Sequence, residues 1–348
     1  MLLEGIFPAI TTPFHSDGRL YLHKLAANVE HYSRAPIAGL TILGSTGEAV
    51  MLDDEESREV LRSSREAASP EKVLLAGVGR ESVVATLRLA EFAAEQQYDA
   101  VLVRTPNYYG PQMRPLEMLT YFRMVADRSP LPVVLYNISR FTNYEMPVEL
   151  VAELAQHPNI IGIKDSSGSI ERISQIVAAT RNAPKRATAV TNVFAAFTNR
   201  MSLVDSSFVP ADILGAGTTA VAVPQAKPKT VTRIKEVGFQ VLSGSSSNVK
   251  ESLDAGASGA VLAFGACAPQ ACQEIYMAWK DNDPELAALK QARVLEASRV
   301  VTGRFGIPGI KFACDLNGYY GGYPRVPLLP LNAEEQAQVT RAMADVRH

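Results

Sequence analysis

The chain has 348 residues, of which 47% are hydrophobic and 20% charged, so it can bury a sizeable core and disorder is not expected. The formal net charge of −2 offers no basic surface for nucleic acid, and no apolar run reaches membrane-spanning length. Three cysteines, an odd number without metal-ligand spacing, are typical of a cytoplasmic protein in a reducing compartment.

Apolar runs alternate with amphipathic stretches along most of the chain. The apolar runs predict strands at residues 5–12, 39–44, 73–78, 100–104, 131–136, 160–164, 239–243 and 259–264. The amphipathic stretches predict helices at residues 25–33, 53–68, 82–97, 115–129, 148–156 and 169–181, and from about 248. Further helices are predicted near residues 269–280, 284–303 and 308–318, and from 333. Residues 182–238 interrupt the alternation with prolines, threonines and weak periodicity.

Eight strands alternating with helices predict an α/β fold, a (β/α)8 TIM barrel with a C-terminal helical extension and an insertion between helix six and strand seven. We expect the barrel, with its insertion at about 182–238, over residues 1–265, and the helical region over 266–348. An open doubly wound sheet is the competing fold, and it needs a phosphate-binding loop after an early strand. Residues 77–82 (GVGRES) begin like the dinucleotide fingerprint but lack its third glycine.

Lys164 ends the apolar strand at residues 160–164, which is unusual because an ammonium group is costly to bury. A lysine that gives up its proton in such a place is a nucleophile toward carbonyl carbons. The functional interpretation is therefore a Schiff-base lysine at the top of a barrel strand. The alternative is an exposed lysine just past the end of a strand.

The carboxyl ends of barrel strands share one site, and here they carry an amine, phenols, hydroxyls and exposed backbone N–H groups. These ends are Ser45 with Thr46, Tyr108 with Tyr109, Tyr136 with Asn137, Lys164 with Asp165, and residues 243–245 (SGS). The absence of histidine from this set disfavours a serine hydrolase, and the set contains no cluster of carboxylates or cysteines that would hold a metal. Taken singly, Ser45 and Thr46 could be a helix cap, and Tyr136 a core tyrosine with a satisfied hydroxyl.

Residues 44–48 (GSTGE), Tyr136 with Asn137, and residues 162–168 (GIKDSSG), together with the spacing from Tyr136 to Lys164, resemble a known family. They are similar to the pyruvate-dependent class I aldolases and lyases typified by dihydrodipicolinate synthase and N-acetylneuraminate lyase. The resemblance runs from about residue 5 to 326, without the stretch 182–238. It implies a Schiff base between Lys164 and the keto carbon of pyruvate or a 2-oxo acid, with Tyr136 as the proton-relaying phenol.

The resemblance also implies roles for residues around this pair. Ser45 and Thr46 would bind a carboxylate, and Gly244 and Val261 would contribute to substrate binding. Thr46 would also be catalytic, as would one of the tandem tyrosines, taken as Tyr109, which would reach into a neighbouring subunit's site. The expected assembly is a homotetramer, a dimer of dimers. The expected partners are pyruvate, a 2-oxo acid and an aldehyde, with no cofactor, metal, nucleic acid or membrane. Glu48 and Asp165 are interpreted as structural, Glu48 bonding local backbone and Asp165 organising a turn.

Two departures bear on the substrate. In dihydrodipicolinate synthases the tyrosine motif continues to an arginine that holds the carboxylate of the second substrate, whereas here Phe141 stands at that position and Arg140 is one residue early. Residues 306–311 (GIPGIK) and 318–325 (GYYGGYPR) look like members that act on 4-hydroxy-2-oxoglutarate or sugar-derived 2-keto-3-deoxy acids. The first hypothesis is therefore an aldolase or dehydratase for such 2-oxo acids. Dihydrodipicolinate synthase and a catalytically silent small-molecule-binding protein are the alternatives.

The second departure is the insertion itself, which joins a helix to the next strand. Connections of this kind lie at the amino-terminal face of a barrel, opposite the active site. We expect a compact segment that covers the barrel floor or enlarges a subunit contact, because long structureless loops are uncommon inside a domain. The competing hypothesis is a lid that folds up the side of the barrel.

Overall fold

A computed structural model describes residues 1–191, 195–198, 200–201 and 232–347. Its main sheet has eight parallel strands in the order β1-β10-β9-β6-β5-β4-β3-β2. These strands are β1 Gly5–Pro8, β2 Gly39–Ile42, β3 Val73–Gly77, β4 Ala100–Arg104, β5 Val133–Asn137, β6 Ile160–Asp165, β9 Gln240–Ser243 and β10 Gly259–Leu262. The sheet closes on itself because the Ala38 N–H donates to the Ile6 carbonyl at 3.0 Å, and the Ile10 N–H to the Thr41 carbonyl at 3.1 Å. The predicted (β/α)8 TIM barrel is confirmed.

Helices surround this barrel and continue beyond its last strand. They are α1 Leu22–Arg34, α2 Asp54–Ala67, α3 Val83–Glu95, α4 Pro115–Arg128, α5 Ser139–Thr142, α6 Val148–Leu154, α7 Ile170–Thr180, α8 Val249–Asp254, α9 Pro269–Lys280, α10 Pro284–Ser298, α11 Gly306–Leu316 and α12 Ala333–Ala342. The helix predicted at 284–303 changes at its end into a π-helical turn, Arg299–Arg304. The C-terminal helical extension is present as predicted. None of the helices in the described ranges is long and apolar enough to cross a membrane.

Part of the insertion forms a two-stranded antiparallel sheet outside the barrel, which the weak periodicity did not reveal. Its strands are β7 Arg186–Thr191 and β8 Thr232–Val237. Lys235 forms an ion pair with Glu4, just before β1, and the Thr198 hydroxyl donates to the Pro70 carbonyl, just before β3. These contacts lie at the amino-terminal end of the barrel. Residues 192–194, 199 and 202–231 are outside the described chain, so the expectation of a compact insertion stays a prediction for most of its length.

The strands separate two layers of core, because successive side chains point to opposite faces. The inner layer contains Leu102, Tyr136 and Val261, whereas Val101 and Leu135 belong to the outer layer beneath the helices. This alternation sets which strand-end side chains point inward. Tyr136 is an inner residue, and both Arg104 and Lys164 are in register with it on the neighbouring strands.

Candidate active site

Lys164 lies at the carboxyl end of β6, beside Tyr136 on β5. The lysine is only 4% exposed, so the alternative of an exposed strand-end lysine is wrong. Its Nζ lies 4.1 Å from the centroid of the Tyr136 ring. The amino group therefore packs against the face of the Tyr136 ring.

A tight turn carries Ser45 and Thr46 directly after β2. Ser45–Gly47 forms a single 3-10 turn, flanked by Leu43 at φ +58° and Glu48 at φ +55°, both in the left-handed region. The Thr12 hydroxyl donates to the Gly47 carbonyl at 2.7 Å and fixes the turn. The turn does not cap the following helix, because Asp53 is the N-cap of α2. The helix-cap alternative for Ser45 and Thr46 is therefore wrong.

The turn and the strand-end phenol meet inside the mouth of the barrel. Tyr136 Oη lies 3.4 Å from Ser45 Oγ, and either hydroxyl can donate to the other. Thr46, the next residue, is buried. A hydroxyl pair beside a buried amine can pass a proton to or from a group bound there.

Glu48 anchors this turn to the C-terminal helices. Its carboxylate forms a buried ion pair of 2.6 Å with Lys311 on α11 and accepts from the Arg325 N–H at 2.8 Å. Lys311 also donates to the Thr12 carbonyl at 2.8 Å, and burial lowers the pKa of this lysine. Glu48 is structural, but its partners are distant in sequence, and the expectation that it bonds local backbone is wrong.

Asp165 organises the turn that follows β6. Its carboxylate accepts from Asn137 Nδ2 at 2.7 Å, from the Ser167 N–H at 3.0 Å and from Arg172 Nε at 2.8 Å. These bonds tie the ends of β5 and β6 to the start of α7. With its oxygens directed at these donors, Asp165 has the structural role expected of it.

A cavity of about 620 Å³ opens above these residues at the carboxyl ends of the strands. Ser45, Tyr136 and Phe141 are in its wall, and Lys164 adjoins it through the Tyr136 ring. Phe141 is 56% exposed and presents an aromatic surface where the family pattern has a cation. Arg140 is outside this wall, with Nη2 3.5 Å from the Gly303 carbonyl oxygen.

The other predicted binding residues are close-packed at strand ends. The Gly244 N–H donates to the Asp165 carbonyl at 2.7 Å, and a Cβ at this position would lie 2.0 Å from Ser166 Oγ, so only glycine fits. Val261 is fully buried in the inner layer, in register with Phe7.

The tandem tyrosines are placed differently from one another. Tyr108 contributes to the cavity wall, whereas Tyr109 is 64% exposed and stands outside it. Their rings meet edge to face at 5.1 Å between centroids. A role for Tyr109 in a neighbouring subunit's site stays a prediction.

Three charged residues of the cavity wall were missed from sequence: Arg80, Glu81 and Arg104. Arg104 is the last residue of β4, and Lys164 is the last but one of β6. The argument that a cation at the end of an apolar strand marks a candidate site, which identified Lys164, therefore applies to Arg104 as well. Arg80 and Glu81 were considered only as part of a failed dinucleotide fingerprint. Both follow β3 by a few residues, and this position at the carboxyl end of a predicted barrel strand could have identified them as candidate site residues.

The family model described as the dihydrodipicolinate synthetase family matches residues 2–185 and 216–346. The chain belongs to this family. Curated relatives in it include the 4-hydroxy-tetrahydrodipicolinate synthase of Methanothrix thermoacetophila, 28% identical over 97% of this chain and 95% of the relative. The protein of the same name from Acidiphilium cryptum is 28% identical over 98% of both chains.

Solved structures of the dihydrodipicolinate synthase family share the fold. YagE, a prophage protein of this family from E. coli K12 solved in complex with pyruvate, has a TM-score of 0.78 and 25% identity, over 99% of both chains. CdNal from Clostridium difficile, solved with mannosamine, has a TM-score of 0.78 but only 18% identity, so it supports the fold alone. By its family, the chain is an enzyme of the class I lyase and aldolase type.

Proposed function

We propose that the chain is a Schiff-base lyase acting on pyruvate and 2-oxo acids of the 4-hydroxy-2-oxoglutarate or 2-keto-3-deoxy sugar acid type. The observation that carries this proposal is the buried Lys164 amine against the Tyr136 ring, with the Tyr136 hydroxyl 3.4 Å from Ser45 Oγ. An amine with an adjacent proton relay is what imine formation from a ketone requires.

In this mechanism the neutral Lys164 Nζ attacks the keto carbon and forms a carbinolamine. Tyr136, linked to Ser45, delivers a proton to the departing hydroxyl, which leaves as water and yields the protonated imine. The imine nitrogen then accepts the electron pair of the breaking C3–C4 bond as the C4 hydroxyl gives its proton to the Tyr136 phenolate, so an aldehyde leaves and an enamine remains. Tyr136 returns this proton to C3 of the enamine, and water then hydrolyses the imine, which releases pyruvate and regenerates the amine and the Tyr136 hydroxyl.

Substrate binding is assigned to the turn and to the strand ends around it. The backbone N–H groups that begin the 3-10 turn at Ser45 and Thr46 suit the carboxylate of the 2-oxo acid. Gly244 and Val261, which are not in the cavity wall, are assigned to substrate binding by the family resemblance, and Tyr109 would act in a neighbouring subunit of a dimer of dimers. The expected setting is the cytoplasm.

A second candidate is 4-hydroxy-tetrahydrodipicolinate synthase, the name that the curated relatives carry. The names of these relatives support the synthase more directly than they support a lyase for 4-hydroxy-2-oxoglutarate or 2-keto-3-deoxy sugar acids. Phe141 weighs against it, because a phenyl ring cannot form the bidentate, charge-assisted pair that an arginine makes with a carboxylate.

The test of the Schiff base is to reduce the protein with borohydride in the presence of pyruvate and map the adduct by peptide mass. We expect the adduct on Lys164 and its loss in Lys164→Met. Lys72→Met is the matched control and should keep the adduct on Lys164. Lys72 is also buried, but it donates to the Ala35 and Ile37 carbonyls away from the cavity. An adduct on another lysine, or none, contradicts the proposal, and its complete absence favours a silent binding protein.

A further inference from the structure

The cavity that holds Tyr136 and Phe141 has a charged side. Arg80 and Arg104 bring two cations into its wall and Glu81 one anion, while the aromatic ring of Phe141 brings none. If a 2-oxo acid with a second carboxylate binds here, a cation of this wall has to pair with that carboxylate, since an unpaired buried charge is costly.

Arg104 is already engaged with the loop that follows its own strand. Its Nη1 donates to the Thr105 carbonyl and to Asn107 Oδ1, each at 3.0 Å, and its Nη2 donates to Glu81 at 2.9 Å. Glu81 in turn accepts from the N–H groups of Asn107 and Tyr108, each at 2.9 Å. The Arg104–Glu81 pair therefore holds the rim of the cavity, and its charges largely cancel.

Arg80 is held firmly but keeps donors available. Its Nη2 donates to Ser57 Oγ at 2.9 Å and its Nη1 makes a long bond of 3.4 Å to the Gly79 carbonyl. Its Nε is 3.8 Å from Asp54, beyond hydrogen-bond distance, and the Asp54 side chain is 74% exposed, so solvent screens that charge. Within the described residues, one N–H on each terminal nitrogen and the Nε–H have no hydrogen-bond acceptor.

The backbone at residue 80 is fixed as well. The Arg80 N–H donates to Thr86 Oγ1 at 3.0 Å and its carbonyl accepts from the Tyr121 hydroxyl at 3.0 Å. An arginine anchored at its backbone and at one terminal nitrogen loses little further conformational entropy when it binds a ligand.

The sheet order relates this arginine to the proposed carboxylate turn. β3, which leads to Arg80, lies between β2, which leads to Ser45, and β4, which ends at Arg104. A substrate whose first carboxylate is at the Ser45–Thr46 turn and whose keto carbon is at Lys164 can direct its far end along this wall.

We propose that Arg80 binds the distal carboxylate of a dicarboxylic 2-oxo acid and thereby supplies the cation that Phe141 does not. This inference rests on the proposed function and narrows it. The substrate class becomes 2-oxo acids whose aldehyde half is itself an anion, in preference to those that release a neutral sugar aldehyde.

The experiment compares condensation of pyruvate with two aldehydes of similar size, glyoxylate, which carries a carboxylate, and glycolaldehyde, which does not. We expect Arg80→Met to lower the ratio of kcat/KM for glyoxylate to that for glycolaldehyde by about 10- to 100-fold, the usual effect of losing a hydrogen bond to a charged group. Arg80→Lys should recover part of the ratio, because it keeps the charge but not the planar fork. Arg140→Met is the matched control and should leave the ratio unchanged, since this arginine lies outside the cavity wall.

Two further readouts separate the possible failures. If Arg80→Met keeps its melting temperature and leaves the ratio unchanged, or lowers kcat/KM equally for both aldehydes, the role of Arg80 is overturned. A borohydride-trapped pyruvate adduct on Lys164 would in that case still support the proposed function. If the unaltered chain gives no adduct, both proposals fall. If Arg80→Met does not fold, Arg80→Lys and Arg80→Gln decide the question by the same ratio.

Discussion

At the scale of single residues, Phe141 separates the two candidate functions. It lies in the cavity wall, so the side chain at this position faces whatever aldehyde enters. The neighbouring Arg140 is outside this wall, with its Nη2 3.5 Å from the Gly303 carbonyl and its guanidinium 5.8 Å from the Phe141 ring centroid. The proposed distal cation of the site is therefore Arg80, which follows β3, because Phe141, which follows β5, carries no charge.

We predict that the unaltered chain turns over pyruvate with aspartate semialdehyde slowly, because Arg80 follows β3 and does not stand where the family arginine stands after β5, and that Phe141→Arg raises kcat/KM for this pair by about tenfold or more. The gain comes from a new charge-assisted bond to the semialdehyde carboxylate. A coupled assay that follows the condensation product measures it, with Phe141→Leu as the uncharged control. Efficient turnover by the unaltered chain would instead promote 4-hydroxy-tetrahydrodipicolinate synthase to the first candidate.

At the scale of elements, the segment after α11 is tied to the start of α2. Arg325 forms a bidentate pair with Glu56, with both N–O distances 2.6 Å, and its Nη1 also donates to the Met51 carbonyl at 2.9 Å. Glu56 is at the same time the third residue of a capping box with Asp53. One carboxylate thus stabilises a helix start and a long-range contact that borders the cavity.

This pair predicts how stability depends on pH. Hydrogen bonds from Arg325 hold the pKa of Glu56 below its ordinary value of 4.5. A carboxyl group whose pKa is lower in the folded state stabilises the protein fully above 4.5, and that contribution is lost as pH falls through the folded-state pKa. The free energy of unfolding of Glu56→Gln should therefore be lower than that of the unaltered chain at pH 7, and the difference should shrink as the pH falls below 4.5.

Urea unfolding at several pH values between 7 and 3 measures this difference. Glu55→Gln is the matched control, because Glu55 lies in the same helical turn and makes only an exposed, 3.4 Å pair with Arg58. A surface pair of this kind contributes little. A difference for Glu56→Gln that is constant with pH would show that the ion pair contributes nothing beyond the helix cap.

At the scale of the whole molecule, the described residues of the insertion and the cavity are at opposite ends of the barrel. In the described part of the chain, the insertion contacts Glu4 and Pro70, before the strands begin, and Arg200 lies 3.8 Å from the buried Asp99, just before β4. The chemistry is assigned to residues at the ends of the same strands. Stability and catalysis should therefore respond separately to changes in the insertion.

We predict that replacing residues 186–237 with a short Gly-Ser connection lowers the melting temperature or alters the oligomer, and leaves KM for pyruvate within about threefold. The change removes contacts at the barrel floor and leaves the site intact, as expected for the amino-terminal face of a barrel. Thermal unfolding, size-exclusion chromatography and steady-state kinetics measure the three quantities. A large rise in KM with an unchanged melting temperature and oligomer would favour the lid hypothesis.

The sequence alone determined the alternation of strands and helices, the identity of Lys164 and Tyr136, and the turn at Ser45 and Thr46. Each of these depends on local patterns: a short apolar run, its last residues, or a small motif. The strand predicted at residues 5–12 was too long, because β1 ends at Pro8 and its pairing continues through an isolated bridge of Ala9 with Thr41 and the Ile10 N–H bond, while Thr11 and Thr12 are buried beyond it.

Only the tertiary structure decided which distant residues meet. The Glu48–Lys311 pair, the antiparallel pairing of β7 with β8, and the convergence of Arg80 with Tyr136 on one cavity all join residues far apart in sequence. Such contacts depend on which strands are neighbours and on which face each side chain lies, and hydrophobic periodicity does not specify either one. Residue types and spacing therefore predicted Lys164 as the candidate Schiff-base amine, whereas Arg80, the proposed distal cation, was identified only from the closed barrel.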